Sequence, residues 1–174
     1  MSAPDLGDGN FDRTVVYVLD HDEDGAMGLV LNRPTGVDVA DHIEDLHVSL
    51  TAPPEFFGGG PVAEAAILAL GLRELDTPLE HAVVVDGPVV VVDPEALVAG
   101  QTRGVGSVRL YTGYSGWSAG QLEHELALGV WFVAEALPDD VFSSDPESLW
   151  RAVMRRQGGK LASIGLYPDD PGLN

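Results

Sequence analysis

Residues Thr14 to Leu19 form a β-branched, apolar run bounded by charge, which predicts a strand. His21-Asp-Glu-Asp-Gly25 is turn chemistry and Gly28 to Leu31 is apolar again, so the two runs read as a hairpin that Asn32-Arg-Pro-Thr-Gly36 ends. Val39, Ile43 and Leu46 fall at i, i+4 and i+7, the spacing of a short amphipathic helix. Pro53 to Pro61 is a loop rich in Gly and Pro. The apolar run Ala65 to Leu70 is short and closely punctuated, which favours a strand. Ala82-Val-Val-Val85 and Val89-Val-Val-Val92 flank Asp86-Gly87-Pro88, a strand–turn–strand pattern.

Helix signals are fewer. Asp93-Pro94 places an N-cap ahead of a proline at N1 and opens a short helix through Ala99. Val108 to Thr112 predicts another strand, and Ser118-x-x-Gln121 is a capping-box pattern ahead of Leu122, Glu125 and Leu126. Val130 to Ala134 returns as a strand. Asp145-Pro146 opens the last helix, with Leu149, Trp150, Val153 and Met154 on its buried face and Gly158-Gly159 at its end. Strands outnumber helices and their connections vary in length. The expectation is an α+β domain, a mixed sheet flanked by a few short helices, and not a strict βαβ winding.

The 174 residues, 45% apolar and 21% charged, suit a single compact domain over 1–174. The absence of cysteine excludes a disulfide framework, thiolate zinc, iron–sulfur clusters and a cysteine nucleophile. Charge changes the picture most: 28 acidic residues against 9 basic ones leave a net charge of −19. Such a body repels phosphate backbones and anionic lipid surfaces, so no direct nucleic-acid partner and no membrane partner is expected. Four of the 9 basic residues fall together as Arg151, Arg155, Arg156 and Lys160. They read either as an anion or acidic-partner site or, preferably, as a basic helix neutralising the acidic body and its own C-terminal dipole. The longest apolar stretch, Leu126 to Ala134, is far short of the ~20 residues of a spanning helix. Met1 to Arg13 lacks the features of an export signal, so the cytoplasm is the default location.

Three motifs invite chemistry. Asp20-x-Asp22-x-Asp24-Gly25 matches the first half of an EF-hand loop, but the closing carboxylate position is Leu31 and the flanks read as strands, so a hairpin turn is expected. Gly113-Tyr-Ser-Gly-Trp117, between a strand and a helix, resembles a nucleophile elbow around Ser115. Trp117 replaces the second glycine, and the only later histidine, His124, follows too closely for the usual chain order. The preferred reading is a structural turn in which Tyr114 and Trp117 pack. Gly58-Gly-Gly-Pro61 has no adjacent Lys or Arg and loses a donor at Pro61, so it reads as a tight connection and not a phosphate cradle. The histidines His21, His42, His47, His81 and His124 show no metal-ligand spacing.

Taken together, these stretches resemble the YqgE/AlgH family. The matching segments are Phe11-Asp-Arg-Thr-Val-Val16, His21-Asp22 leading to Gly25-Ala-Met-Gly-Leu-Val-Leu-Asn-Arg-Pro34, Phe57-Gly-Gly-Gly-Pro-Val62, Gly113-Tyr-Ser-Gly-Trp-Ser-Ala-Gly-Gln-Leu-Glu123 and Pro171-Gly-Leu-Asn174. They run in family order across nearly the whole chain. The resemblance implies strongly coiled sheets and no established catalytic residues; some members carry the label of transcriptional regulator from a role ascribed in alginate production. At the position of Ser115 the family motif also accepts alanine, which argues against a nucleophile. The family usually opens with a Gly-x-Leu-Leu strand running into Ala-x-Pro, whereas this chain opens at Met1-Ser-Ala-Pro4, inside that element. Either that strand is missing or the start is assigned late.

Two functions follow as expectations. The first is a non-enzymatic regulatory or interaction protein that binds a protein or small ligand and needs no cofactor or metal. The alternative is a small-molecule hydrolase or ligand sensor using the Gly113–Trp117 turn. The candidate contact surface is His21, Asn32, Arg33, Tyr114, Ser115, Trp117 and Gln121, with the Gly113–Trp117 turn placed beside Asn32-Arg33 because both are polar, motif-bearing loops.

Overall fold

Strands β1 (Val16–Asp22) and β2 (Gly25–Val30) form the expected antiparallel hairpin, and the Asp24 N–H donates to Asp22 Oδ1 at 2.8 Å across its turn. The computed structural model describes residues 1–4, 11–44 and 46–166, so the closing Pro171–Asn174 motif lies outside the described residues. The Asp20–Gly25 spacing is the chemistry of that hairpin turn. Strand β3 (Pro34–Asp38) follows. The helix expected from Val39, Ile43 and Leu46 is only a single 3-10 turn, Val39–Asp41, capped by Asp38. The three apolar side chains still pack into one cluster against the sheet, so burial satisfies their spacing without a helical backbone.

Next come β4 (Ser49–Leu50), β5 (Glu55–Gly58), β6 (Val62–Arg73), β7 (Ala82–Asp86) and β8 (Val89–Val92). Helix α1 (Pro94–Val98) starts as predicted, with Asp93 accepting from Glu95 and Ala96 N–H and proline in the first turn. The central strand is β9 (Val105–Ser118). The sheet path is β1-β2-β9-β6-β8-β7, with β4 and β5 running parallel to β9 and β3 paired to β5. The result is one domain built on a strongly curled, largely antiparallel sheet.

The length of β9 corrects the expectation of a strand ending at Thr112 and a turn over Gly113–Trp117. The chain does not turn there. Gly113, at φ +66°, lets the strand kink while staying in the sheet. A Cβ on Gly113 would lie 2.5 Å from the Gly60 carbonyl oxygen, so only glycine fits this crossing of the Gly58–Pro61 connection. Before the kink, β9 pairs with β6, β4 and β5; after it, Ser115 to Ser118 pair with Gly28 to Gly25 of β2. Alternation along β9 divides the core. Tyr111 joins Leu29, Phe57, Trp150 and Met154 on one face, while Val108 and Leu110 join Ala69, Val90 and Leu97 on the other.

Helix α2 (Gln121–Ala127) carries half of the expected capping box: Gln121 Oε1 accepts from Ser118 N–H at 3.0 Å, while Gly120 is the N-cap. Among the described residues the strand expected at Val130–Ala134 is reduced to one antiparallel bridge between Trp131 and Ser2. A short helix α3 (Pro138–Val141), unforeseen in the sequence, follows. Helix α4 (Pro146–Gln157) is capped by Asp145 and buries Leu149, Trp150, Val153 and Met154 as predicted. It is not the last helix: the Gly158-Gly159 break leads into α5 (Gly159–Ile164).

Candidate functional site

A cleft of about 510 Å³ opens between β1 and the extended segment 131–136. Its walls include Tyr17, Leu19, Trp117, Leu122, Trp131 and Phe132. Asp20, Asp86 and Glu135 are exposed at it, and no lysine or arginine lines it. One end is occupied by Met1, whose amine donates to Phe132 O at 2.9 Å and whose pKa burial lowers to about 6. His21 lines the cleft, its Nε2 lying 2.6 Å from Glu123 Oε1.

One wall is built around a single carboxylate. Glu125 Oε2 accepts from the indole N–H groups of Trp117 at 2.9 Å and Trp131 at 2.7 Å, and Oε1 accepts from Gln121 at 2.9 Å. Trp117 and Trp131 meet edge to face with centroids 5.7 Å apart, and Phe11 stands against both. Burial acts to raise the pKa of Glu125, but the donors Gln121, Trp131 and Trp117 outweigh it and hold the pKa below its ordinary value. Glu125 sits one turn after Gln121 on α2, so the Gln121 amide braces the carboxylate that the two indoles share.

The seven residues singled out in the sequence are dispersed. His21 and Trp117 line this cleft. Asn32 and Arg33 line a second, polar one of about 270 Å³, with Asp12, Arg13, Glu147, Trp150 and Arg151. Asn32 is buried and braces the backbone, accepting from Val15 N–H and donating to Arg13 O, both at 2.9 Å. Arg33 donates to Asn32 O and to Asp12 O. Ser115 is fully buried and its hydroxyl donates to Gly59 O at 3.1 Å. Tyr114 is half-buried against the core, and Gln121 is exposed and committed to Ser118 and Glu125.

Two features escaped the sequence reading. Arg109, only 1% exposed, donates from Nη1 to Val141 O at 2.9 Å and from Nη2 to Ala52 O and Ser143 O, both at 2.7 Å. Its guanidinium carbon lies 4.3 Å from the Phe57 ring centroid. Burial lowers the pKa of Arg109 and raises that of Tyr111, whose hydroxyl neighbours the guanidinium without completing a hydrogen bond. The only local sign was an arginine alternating with apolar residues in a strand. The second feature is the Arg156–Asp140 pair, bidentate at 2.8 and 2.7 Å, which ties α4 to the segment ending the cleft. Within the basic run Arg151–Lys160, Arg156 therefore neutralises the protein's own acid.

The AlgH-like family profile matches residues 1–162. The chain belongs to this family. A UPF0301 protein of Streptomyces coelicolor is 46% identical over 178 residues, covering 100% of this chain and 92% of its relative. One from Thermobifida fusca is 40% identical over 186 residues, with the same coverage. Among solved structures, a Corynebacterium diphtheriae protein superposes with a TM-score of 0.87 at 28% identity, over 96% of this chain and 89% of that one. The AlgH protein of Pseudomonas aeruginosa gives 0.69 at 30% identity, over 98% and 92%. Among the described residues no group of three or more His, Asp or Glu could hold a metal ion, and no helix is long and apolar enough to cross a membrane.

Proposed function

We propose that this protein works by binding, as a non-enzymatic regulatory or interaction protein, with the cleft between β1 and residues 131–136 as its contact surface. His21 and Trp117 are the members of the sequence-derived surface that take part. The observation that carries this reading is the state of Ser115. Its hydroxyl is buried and donates to a backbone carbonyl, whereas a nucleophile must be reachable and paired with a base. The accessible cleft instead offers apolar walls and carboxylates. The protein acts in the cytoplasm, and the regulator label attached to some family members is met through a protein or ligand partner, since a net charge of −19 opposes contact with DNA.

The test combines two measurements on the full chain. A fluorophosphonate probe should leave the protein unlabelled. Affinity capture from lysate should retain a partner that is lost when Ala134→Phe fills the cleft. Labelling or ester hydrolysis abolished by Ser115→Ala would replace this reading with an enzymatic one.

A further inference from the structure

Three of the chain's 9 basic residues, Arg13, Arg33 and Arg151, meet at the polar cleft of about 270 Å³. Arg13 lies shortly before β1, Arg33 joins β2 to β3, and Arg151 is on α4, where Glu147, Trp150 and Arg151 share one face at i, i+3 and i+4. The three arginines are half-buried, whereas the carboxylates of the cleft, Asp12 and Glu147, are exposed. The cations therefore lie deeper and the acids form the rim. The cationic groups are also held in place. Buried Asn32 accepts from Val15 N–H and donates to Arg13 O, so it locks the Arg13 backbone to the residue beside Arg33. Arg13 has φ +49°, a left-handed conformation that side chains rarely adopt. Such strain persists only where the surroundings impose it, and it gathers at ligand sites. The Arg13 guanidinium carbon lies 5.6 Å from the Trp150 ring centroid, and Trp150 is itself fixed by donating to Ser2 O at 3.0 Å. Arg33 donates to the carbonyls of Asn32 and Asp12, bonds that orient its guanidinium and leave the charge uncancelled. Burial lowers the Arg33 pKa although Asp12 opposes it, a penalty that a bound anion relieves.

We propose that this cleft binds a small phosphate monoester bearing hydroxyl groups, of the sugar-phosphate class. Its phosphate sits among Arg13, Arg33 and Arg151, whose planar forks match phosphate oxygens in pairs. Asp12 and Glu147 at the rim accept hydrogen bonds from the ligand's hydroxyls, since an ionised carboxylate only accepts. The same acids, with the net charge of −19, disfavour a second phosphate, so a monoester is selected over polyphosphates and nucleic acid. The volume lies just below the usual ~300–1,000 Å³ of small-molecule pockets, which limits the ligand to a few carbons beyond its phosphate. This site goes beyond the proposed function: none of its lining residues belongs to the contact surface beside β1.

Calorimetry and NMR on the full chain test this with glycerol 3-phosphate, inorganic phosphate and glycerol. Glycerol 3-phosphate should bind saturably, with shifts at Arg13, Arg33 and the Trp150 indole, and more tightly than inorganic phosphate; glycerol should not bind. Arg33→Lys keeps the charge, loses the fork and should weaken binding ~10-fold, as should Arg151→Gln. Arg155→Gln, exposed on the same helix and outside the cleft, should change nothing. Glu147→Ala should spare inorganic phosphate and narrow the preference for glycerol 3-phosphate. If Arg33→Lys does not fold, Arg151→Gln decides. The proposal is overturned if glycerol 3-phosphate fails to saturate, if both arginine variants bind as the wild type does, if the shifts fall outside the cleft, or if inorganic phosphate binds equally well. Capture of a protein partner beside β1 should survive Arg151→Gln, so failure of either reading leaves the other standing.

Discussion

Replacing Arg109 by methionine should destabilise the protein by about 4 kcal/mol. Methionine fills much of the arginine's volume, so little of the effect comes from a cavity. Losing the charge also removes a desolvation penalty, which is why exchanging buried ion pairs for apolar residues is often neutral. Arg109 differs because its partners are the carbonyls of Ala52, Val141 and Ser143, and these remain after the substitution. A buried acceptor stripped of its donor costs ~1–3 kcal/mol, so three of them set a range of ~3–9 kcal/mol. Ala52 and Ser143 are not fully buried and water reaches them, and the lost desolvation penalty offsets more, which places the net near the lower end. At ~2–4 °C per kcal/mol for a chain of this size, the Tm should fall by ~8–16 °C. Urea unfolding followed by circular dichroism, with calorimetry alongside, measures this. Amide exchange should quicken first in residues 136–143, which Arg109 ties to the sheet. Arg109→Lys should fall between, since one ammonium cannot span three carbonyls in the guanidinium's planar fork. A methionine variant within ~1 kcal/mol of the wild type, at unchanged m, would show that the three bonds contribute no net stability and would refute the reasoning.

Trp117→Ala removes a buried ring and one donor to Glu125, so a loss of ~3–5 kcal/mol is expected by chemical denaturation, with altered Trp131 emission as a local readout. Ser115→Ala removes one bond to Gly59 O, which keeps its bond from Val30 N–H, and should cost only ~0.5–1.5 kcal/mol on the same curve. Gly113→Ala places a Cβ 2.5 Å from Gly60 O at φ +66° and should cost more than ~2 kcal/mol in thermal melts. Because the folded-state pKa of Glu125 lies below its reference value of 4.5, its contribution is present above that pH and fades as pH falls through the folded pKa; tryptophan fluorescence titrated downward should show a transition that Glu125→Gln removes. Duplex DNA should show no anisotropy change at about 150 mM salt; tight, salt-sensitive binding would contradict this and implicate the Arg151–Lys160 stretch.

Much of the chain's local structure could be read from its residues. The β1–β2 and β7–β8 hairpins follow from β-branched runs meeting Asp-Gly chemistry, and the starts of α1 and α4 follow from Asp-Pro pairs. These signals are complete within a few residues, because caps, turns and alternation are satisfied by near neighbours. The family, too, could be read from motifs in order along the chain. What misled was punctuation whose meaning depends on distant partners. Gly113 and Gly116 suggested a turn, yet β6 as far as Tyr114 and β2 from Ser115 onward supply partners that carry β9 through the kink to Ser118. Val130 to Ala134 has strand composition, but among the described residues its strand pairing is the single bridge from Trp131 to Ser2, and it lies as a strap beside the cleft. Arg109 reads as an ordinary strand residue until the loop at Ala52 and the end of α3 with Ser143 close over it. The site itself joins β1, the end of β9, α2 and the strap, segments distant in the chain, with Trp117, Glu125 and Trp131 locking the last three together. Backbone preference is a property of neighbouring residues, but a buried donor's partner and a cleft's second wall come from wherever the curled sheet brings the chain back, and that only the tertiary structure decides.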